Sequence, residues 1–490
     1  MKTVVLFQPL YGYYDLVVRD LPLGLLAISR YIHRDYNVVI VDQRIKGWKK
    51  KLDRALTQRP VCFGVTSTTG KQIHYALEIS KYVKGKSDIP VVWGGVHPTL
   101  MPEETLQNPY VDIILEGEGE HRFASLVHAL DKGLELSGIE GIWYKDSDGV
   151  VRGRKKEGYL GLDELPFIPY QILDLREYKG YSIQNYGIIF NIETGRGCPN
   201  NCSFCYHSVA DKAPWRMMSA ERIIEEVLNL KRYINFKGIN LVDDNFCADK
   251  DRVDRFRELL LKEKLGIVWG SETGIRELKR FSEEELGALE KSGLRWLSIG
   301  IESGSQRIMD EIQKGVSLED ADIINRHLAK FNIFPQYNFM CGYIDESKEE
   351  LKETMSFILK ILKDNPRASI QTLNIIVPYP KTRYAGLASH NGMVMPHDLE
   401  GWECFNPDDW IDYCPWLDRK EKNLLKTLYV GSLFIDRKVY LNVPQKTFYG
   451  NSVRFVYNLF HKLSKARFRT CSAVVPLEAV LFDVFKRICI

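Results

Sequence analysis

The sequence predicts an α/β protein in three parts: an open, doubly wound parallel sheet over residues 1–138, a partial (β/α)6 TIM-like barrel over 187–395, and a mainly helical region over 396–490. Three observations predict this. Short apolar, β-rich runs alternate with helical stretches at the start of the chain, the pattern of a parallel sheet covered by helices. The same alternation then returns six times, as in a barrel. Between the two, residues 139–186 hold a hairpin signal and a stretch, 162–169, whose two prolines resist helix, so this part reads as a linker.

Composition agrees with this class. The chain has 490 residues, about three domains at roughly 150 residues each. With 45% hydrophobic and 27% charged residues it is neither disordered nor collagen-like. A net charge of +3 gives no global electrostatic case for nucleic acid. Ten cysteines are too sparse for a disulfide scaffold, but Cys198, Cys202 and Cys205 cluster. That usage points to a reducing compartment and a metal site. The apolar run at 4–7 is too short for a secretory signal, and no uncharged apolar stretch reaches the ~18 residues of a spanning helix. A cytoplasmic location is expected.

In the first block, strands are expected at 3–7, 38–41, 61–65, 91–93 and 112–115, with helices at 22–33 and 72–84. In such a sheet, ligands sit beyond the carboxyl ends of the strands. Those ends carry Thr66, Ser67, Gly94, Gly95, His97, Gly117 and Glu118. Glycine lets a large ligand approach the backbone, and small hydroxyls can hydrogen-bond it. Tight turns would also use glycine there, but three such loops on one edge favour a binding edge. No G-x-G-x-x-G follows the first strand, so a dinucleotide is not indicated. A hairpin is expected around 146–148, followed by a basic loop (Arg152, Arg154, Lys155, Lys156) that reads as solvated surface.

In the second block, strands are expected at 188–193, 238–242, 267–269, 296–301, 337–341 and 370–377. Ser282 with Glu285 and Ser347 with Glu350 form capping boxes that open helices, and Ser317 with Asp320 is a similar start signal. Just after the first of these strands comes Cys198-Pro199-Asn200-Asn201-Cys202-Ser203-Phe204-Cys205, a C-x3-C-x2-C loop. Soft thiolates at this spacing suit an iron–sulfur cluster or zinc. Zinc would call for a fourth protein ligand, with His207 nearest. Three cysteines leave one iron of a [4Fe–4S] cluster free of protein ligand.

With Phe204 as its aromatic, this loop resembles the signature of radical SAM enzymes. The resemblance continues along the chain. Residues 241–246, with Asp243-Asp244-Asn245-Phe246, resemble the D-D-x-F motif of the second strand. Residues 298–305 with Glu302 and Ser303, followed by Lys314-Gly315, resemble the fourth-strand G-x-E-S segment. Val377-Pro378-Tyr379-Pro380 with Thr382 resembles the sixth-strand T-P-Y-P-G-T segment. Upstream, Gly94-Gly95 with His97 and Gly117-Glu118-Gly119-Glu120 resemble a flavodoxin-like cobalamin-binding domain. Over about residues 1–390 the chain is similar to the cobalamin-binding radical SAM enzymes that include anaerobic magnesium-protoporphyrin cyclase and C-methyltransferases. It departs from the pattern in four places. There is no D-x-H-x-x-G motif, so no axial histidine is expected. Gly274 stands where arginine is common, with Arg276 two positions on. Residues 342–346 lack the proline of the fifth-strand motif, and Lys381 replaces a glycine.

The resemblance implies that Cys198, Cys202 and Cys205 hold the cluster, and that S-adenosylmethionine (SAM) chelates the fourth iron and is cleaved to a 5′-deoxyadenosyl radical. Phe204, Asp243, Asp244, Asn245, Glu302, Ser303 and Gly342 would contact SAM. Thr66, Ser67, Gly94, Gly95, His97, Gly117 and Glu118 would contact cobalamin, with the sheet edge facing the barrel mouth. The alternative for Glu302 is a charge paired inside the barrel, and the SAM contact is the favoured of the two. The expected activity is methylation of an unactivated carbon via methylcobalamin, with an electron donor such as flavodoxin or ferredoxin and a small-molecule or lipid substrate. The alternatives are a ring-forming or oxygenating enzyme of the cyclase type and a non-catalytic cobalamin sensor. A methylthiotransferase is disfavoured, because residues 1–150 hold only Cys62 where a second cysteine trio would be expected.

The tail is read from composition alone. Residues 401–416, rich in tryptophan and acids, could cap the barrel or simply pack. Residues 453–469 are basic and aromatic, with Val453, Val456, Tyr457, Phe460 and Leu463 at helical spacing. They form either a helix docked on the barrel or one lying on an anionic membrane surface.

Overall fold

The structure is a computed structural model that describes residues 1–12, 15, 19–146, 149–154, 158–178, 186–209, 214–436, 448–473, 476–480 and 483. Seven strands form the first sheet: β1 (Thr3–Gln8), β2 (Asn37–Asp42), β3 (Phe63–Thr66), β4 (Val91–Gly94), β5 (Ile113–Leu115), β6 (Ile142–Asp146) and β7 (Gly149–Arg152). Their order is β2-β1-β3-β4-β5-β6-β7, parallel through β5. The predicted hairpin β6–β7 adds an antiparallel edge, pairing Asp146 with Gly149. Residues 147–148 of its turn lie outside the described residues. β1 is buried from Val4 to Phe7, because a central parallel strand is covered on both faces. From β1 the chain runs outward to β2 and then returns to β3 on the other side, so the strand order reverses between β1 and β3.

The second sheet holds β8 (Ile189–Ile192), β11 (Gly238–Leu241), β12 (Val268–Thr273), β13 (Leu294–Glu302), β14 (Phe334–Cys341) and β15 (Ser369–Ile375). All six pair parallel in chain order, with β8 and β15 as the two edges. A small antiparallel pair, β9 (Gly195–Arg196) with β10 (Arg216–Met217), brackets the cysteine loop. It was not expected, since two-residue strands leave no periodicity. The three helix-start signals behave as expected. Ser282/Glu285 and Ser347/Glu350 close full capping boxes, and Ser317 accepts from the Asp320 N–H.

Other expectations are corrected. The helix expected over 22–33 spans only Leu23–Ile28. Beyond it the Ser29 hydroxyl bonds the Leu25 carbonyl and turns follow, a local competition that serine offers a helix. The extended linker contains three short 3₁₀ turns, at Leu162–Glu164, Tyr170–Ile172 and Leu175–Glu177. Helix Ala220–Lys231 grips that linker. Arg222 donates to the Leu165 carbonyl and Asn229 to that of Ile168. Glu226 pairs with Arg222 at 3.0 Å and faces Arg30 of the first domain at 4.0 Å. In so buried a triad, removing one partner costs on the order of 3–5 kcal/mol.

Residues 400–416 fold back over the first domain. Trp402 Nε1 donates to Glu104 at 2.5 Å, and Asn108 donates to Glu400 at 2.9 Å. The rings of Trp402, Phe405, Trp410 and Trp416 follow one another at 4.6, 4.6 and 6.0 Å. The segment packs on the first domain, and its Trp416 also covers the end of β14 at Gly342. Helix Phe448–Thr470 docks on helices Arg419–Ser432 and Lys348–Asp364. Of the expected set Tyr457 is buried, Phe460 and Leu463 are half-buried and Val456 points outward; Ser464 and Phe468 complete the buried face. The expected Val453 lies where side chains are not described. Among the described residues no helix is long and apolar enough to cross a membrane.

Candidate functional site

Two cavities open at the carboxyl ends of the two sheets. The one beside the second sheet, about 410 Å³, is walled by Cys198, Cys202, Phe204 and Cys205. Asp244, Asn245 and Glu302 of the expected residues join them, as do Tyr206, His207, Glu272, Arg276 and Lys314. Burial raises the pKa of all three thiols, Cys205 to about 12. Such thiols stay protonated until a metal displaces the proton. Among the described residues no three His, Cys, Asp or Glu side chains close on a single metal ion; the thiols share a wall rather than a point. That spread suits a cluster in which each thiolate takes its own iron. The zinc reading gains nothing from His207, whose Nε2 is held by Asp244 at 2.5 Å.

The loop beyond β11 divides its work. Asp243 is buried, accepting from the Thr194 N–H and hydroxyl and from Arg252 at 2.8 Å. It braces the exit of β8 and does not line the cavity. Asp244 holds both flanks of the cysteine loop, the Gly197 N–H at 3.0 Å and His207. Asn245 is buried against Thr273. Glu272, at the end of β12, opens into the cavity and has its pKa raised to about 7 by burial and by Asp244 and Asp243.

Glu302 sits at φ +80°, where a residue with a side chain is strained, beside a register shift between β13 and β14. The strain places its carboxylate in the cavity, with Oε1 accepting from Lys314 Nζ at 2.6 Å. Burial opposes the Lys314 charge, but Glu302 and the thiols of Cys202 and Cys205 outweigh it and hold the pKa above its ordinary value. A Cβ at Gly300 would lie 2.1 Å from the Glu302 oxygen and 2.9 Å from Lys314 Nζ, so this pair needs glycine there. Arg276 bridges the Asn200 side chain and the Gly315 carbonyl.

Besides Asp243, two more expected SAM residues lie outside this cavity. Ser303 is buried against Thr354 and the Ser305 N–H. Gly342 is packed under the C-terminal region, where its carbonyl accepts from Trp416 Nε1 and its N–H donates to Glu346.

The first cavity, about 260 Å³, is lined by Thr66, Gly94, Gly95, Gly117 and Glu118 from the sheet edge and by Glu193 and Arg196 from the barrel. Gly95 has φ +99°, and a Cβ there would meet the Ser67 carbonyl at 2.7 Å and the Thr66 hydroxyl at 2.8 Å. Ser67 and His97 stand behind this wall. The Ser67 backbone bonds Gly94 and His97. The His97 ring is buried, with Nδ1 on the Thr69 hydroxyl at 3.0 Å and Trp402 at 5.7 Å. Burial pushes its pKa down to about 3, so it is neutral.

Arg196 joins the cavities. Its guanidinium binds Glu118 at 2.6 Å, Glu120 at 2.5 Å and Glu193 at 2.8 Å, and Arg216 also meets Glu118. Arg196 lines the first cavity and Cys198, two residues on, lines the second. Two residues span at most about 7 Å. Sequence reasoning missed Arg196, Arg216, Glu120 and Glu272. Arg196 could have been noticed from its place just before the first cysteine and Glu120 from its place in the Gly117–Glu120 segment; nothing in the sequence marks Arg216 or Glu272.

A model of the radical SAM superfamily matches residues 192–358, and one of the B12 binding domain matches residues 21–127. These two domains define the class, a radical SAM enzyme whose cofactors are a [4Fe–4S] cluster, SAM and cobalamin. The chain is 31% identical over 396 residues to an uncharacterized methyltransferase of Pyrococcus horikoshii, covering 79% of this chain and 82% of that protein. It therefore belongs to the family of radical SAM proteins that carry a B12-binding domain. It is also 28% identical over 310 residues to the anaerobic magnesium-protoporphyrin IX monomethyl ester cyclase of Rubrivivax gelatinosus, covering 62% and 54% of the two chains. The solved structure of the cobalamin-dependent S-adenosylmethionine radical enzyme OxsB superposes with a TM-score of 0.71 at 18% identity, over 100% of this chain and 75% of that one. That likeness concerns the fold.

Proposed function

We propose that this enzyme methylates an unactivated carbon of a small-molecule or lipid substrate, using cobalamin as methyl carrier. The observation that carries this reading is the Arg196 junction, which ties the glycine-lined sheet edge to the loop of the three cysteines. When bound, the cluster supplies the electron that opens SAM to a carbon radical, and cobalamin supplies the methyl group; the protein orients them and excludes water.

The residues present fit these groups. Three thiols on one wall can each take an iron. Glu302 Oε2 has no partner within the described residues and can accept from a ribose hydroxyl, while Lys314 and Arg276 offer positive charge for the SAM carboxylate. Asp244, Asn245 and Phe204 line the same space, for the amine and the adenine face. At the sheet edge, Thr66, Gly94, Gly95 and Gly117 leave backbone bare for one arm of cobalamin. Asp243, Ser67, Ser303 and His97 act behind these walls, as positioning residues. Electrons would come from a flavodoxin- or ferredoxin-type donor.

The test is anaerobic reconstitution with both cofactors, a low-potential reductant and SAM carrying a CD3 group. The expected result is 5′-deoxyadenosine in solution and the CD3 label on extracted cobalamin. If 5′-deoxyadenosine forms and cobalamin is never labelled, the ring-forming or oxygenating reading of the cyclase type replaces this one. If neither forms, the chain is a sensor.

A further inference from the structure

The reaction leaves one surface unexplained. Helix Phe448–Thr470 carries five cations, Arg454, Lys462, Lys465, Arg467 and Arg469, and no acid. Its docked stripe is fully used. Tyr457, Ser464 and Phe468 are buried, Phe460 stacks on Phe434 at 5.0 Å, and His461 Nδ1 bonds the Phe434 carbonyl. A second apolar set has no such role among the described residues. Phe455, Val456 and Leu459 are 73%, 51% and 60% exposed. Arg467 holds Glu478 and so keeps residues 477–480 beside the helix, where Leu477 and Val480 are exposed too.

Charge lies next to this apolar strip. His461, Lys465 and Arg469, one turn apart, line a crevice of about 660 Å³ against helix Lys348–Asp364, which adds Lys360 and Lys363. Lys360 is taken by Asp322 and Asp364, and Asp436 accepts from the Ile370 N–H. Lys363, Lys465 and Arg469 have no acidic partner among the described residues.

We propose that this face docks on an anionic bilayer. The exposed Phe455, Val456 and Leu459 enter the headgroup boundary, and Lys462, Lys465, Arg469 and Lys363 meet lipid phosphates. An apolar strip flanked by cations of one sign is the pattern of an interfacial helix. The same single sign disfavours a second copy of this chain as occupant, because a two-fold contact would set Lys462, Lys465 and Arg469 of one helix against those of the other. The docking is independent of the methyl-transfer reading.

The experiment is flotation of the full reconstituted enzyme with vesicles of phosphatidylcholine alone and with vesicles that also contain phosphatidylglycerol. The chain is expected to float with the anionic vesicles at low salt, and about tenfold less with neutral vesicles or in high salt. Two variants, F455S/V456S/L459S and K465E/R469E, are each expected to lose about tenfold or more of that binding. Iron content, cobalamin content and far-UV spectrum report whether each variant is folded, and Leu459→Ser alone serves if the triple variant is not. No flotation of the wild-type chain with anionic vesicles overturns the proposal. So does flotation that neither variant changes. A wild-type dimer that becomes monomeric in the triple variant, with no vesicle binding, also overturns it and assigns the face to a second copy.

Discussion

The two cavities are built from opposite materials. The one at the first sheet joins glycines and apolar side chains, where Gly95 cannot carry a Cβ without striking Ser67 and Thr66, to Glu118, Glu120, Glu193 and Arg196, charges already paired with one another. The one beside the second sheet is a wall of thiols, carboxylates and cations, with Glu302 held in a strained backbone to place one oxygen. The difference teaches that glycine shape sets the first, whose charges are spent on one another, while the second keeps thiols and a carboxylate facing its space. Substitutions should therefore separate them.

The largest effect belongs to the charged cavity. On the proposed reading, replacing Cys198, Cys202 or Cys205 by alanine removes an iron ligand. Iron content and visible absorbance should fall, and 5′-deoxyadenosine formation should drop at least about 100-fold, while cobalamin retention stays. Loss of cobalamin in the same variant would break the distinction.

Gly95→Val makes the reverse cut. The added side chain overpacks the sheet edge at a positive φ and should weaken cobalamin retention roughly 10–100-fold, with cluster content unchanged. Equal loss of both cofactors would mean that the first domain had unfolded rather than filled.

Glu302→Gln sharpens the charged side alone. It loses the ion pair with Lys314 and a charged acceptor, so SAM should bind about tenfold more weakly by equilibrium dialysis, with cobalamin unaffected.

The smallest effect lies outside both cavities. Burial raises the pKa of Glu346 to about 8, against the N–H groups of Gly342 and Tyr343. A raised carboxyl contributes stability below its unfolded value of 4.5, and that contribution is lost as pH rises through the folded value near 8. Urea denaturation should thus show the wild-type chain losing stability between pH 5 and 9 that Glu346→Gln does not lose. Equal pH slopes would show that Glu346 is not the group responsible.

The contrast also explains what the sequence could reveal. A candidate set is visible wherever residue type carries the chemistry, so the three cysteines and the segment around Glu302 stood out in the sequence, and the structure brings them to one cavity. The capping serines were equally legible, because their partners lie three residues away. The sheet-edge glycines could be read as a group, but the sequence did not tell those that line the cavity from Ser67 and His97 behind it, since facing depends on loop curvature. Asp243 and Ser303 stand in motif positions, yet each is engaged by a partner some fifty residues away, Thr194 and Thr354. Gly342 belongs to a motif too, and is covered by Trp416, which only the returning C-terminal segment supplies. Likewise Arg196 and Glu118 lie 78 residues apart and meet only when the two domains pack. Long-range polar pairing leaves no periodic trace.

The central claim is that the two cavities serve one reaction because the Arg196 junction holds them side by side. Low-temperature electron paramagnetic resonance of the reconstituted, reduced enzyme tests it most directly. The account predicts that the cobalamin signal is broadened or split by magnetic coupling to the reduced cluster, and that Arg196→Leu diminishes this coupling while both cofactors remain bound. Two unperturbed, independent spectra in the wild-type enzyme would contradict it.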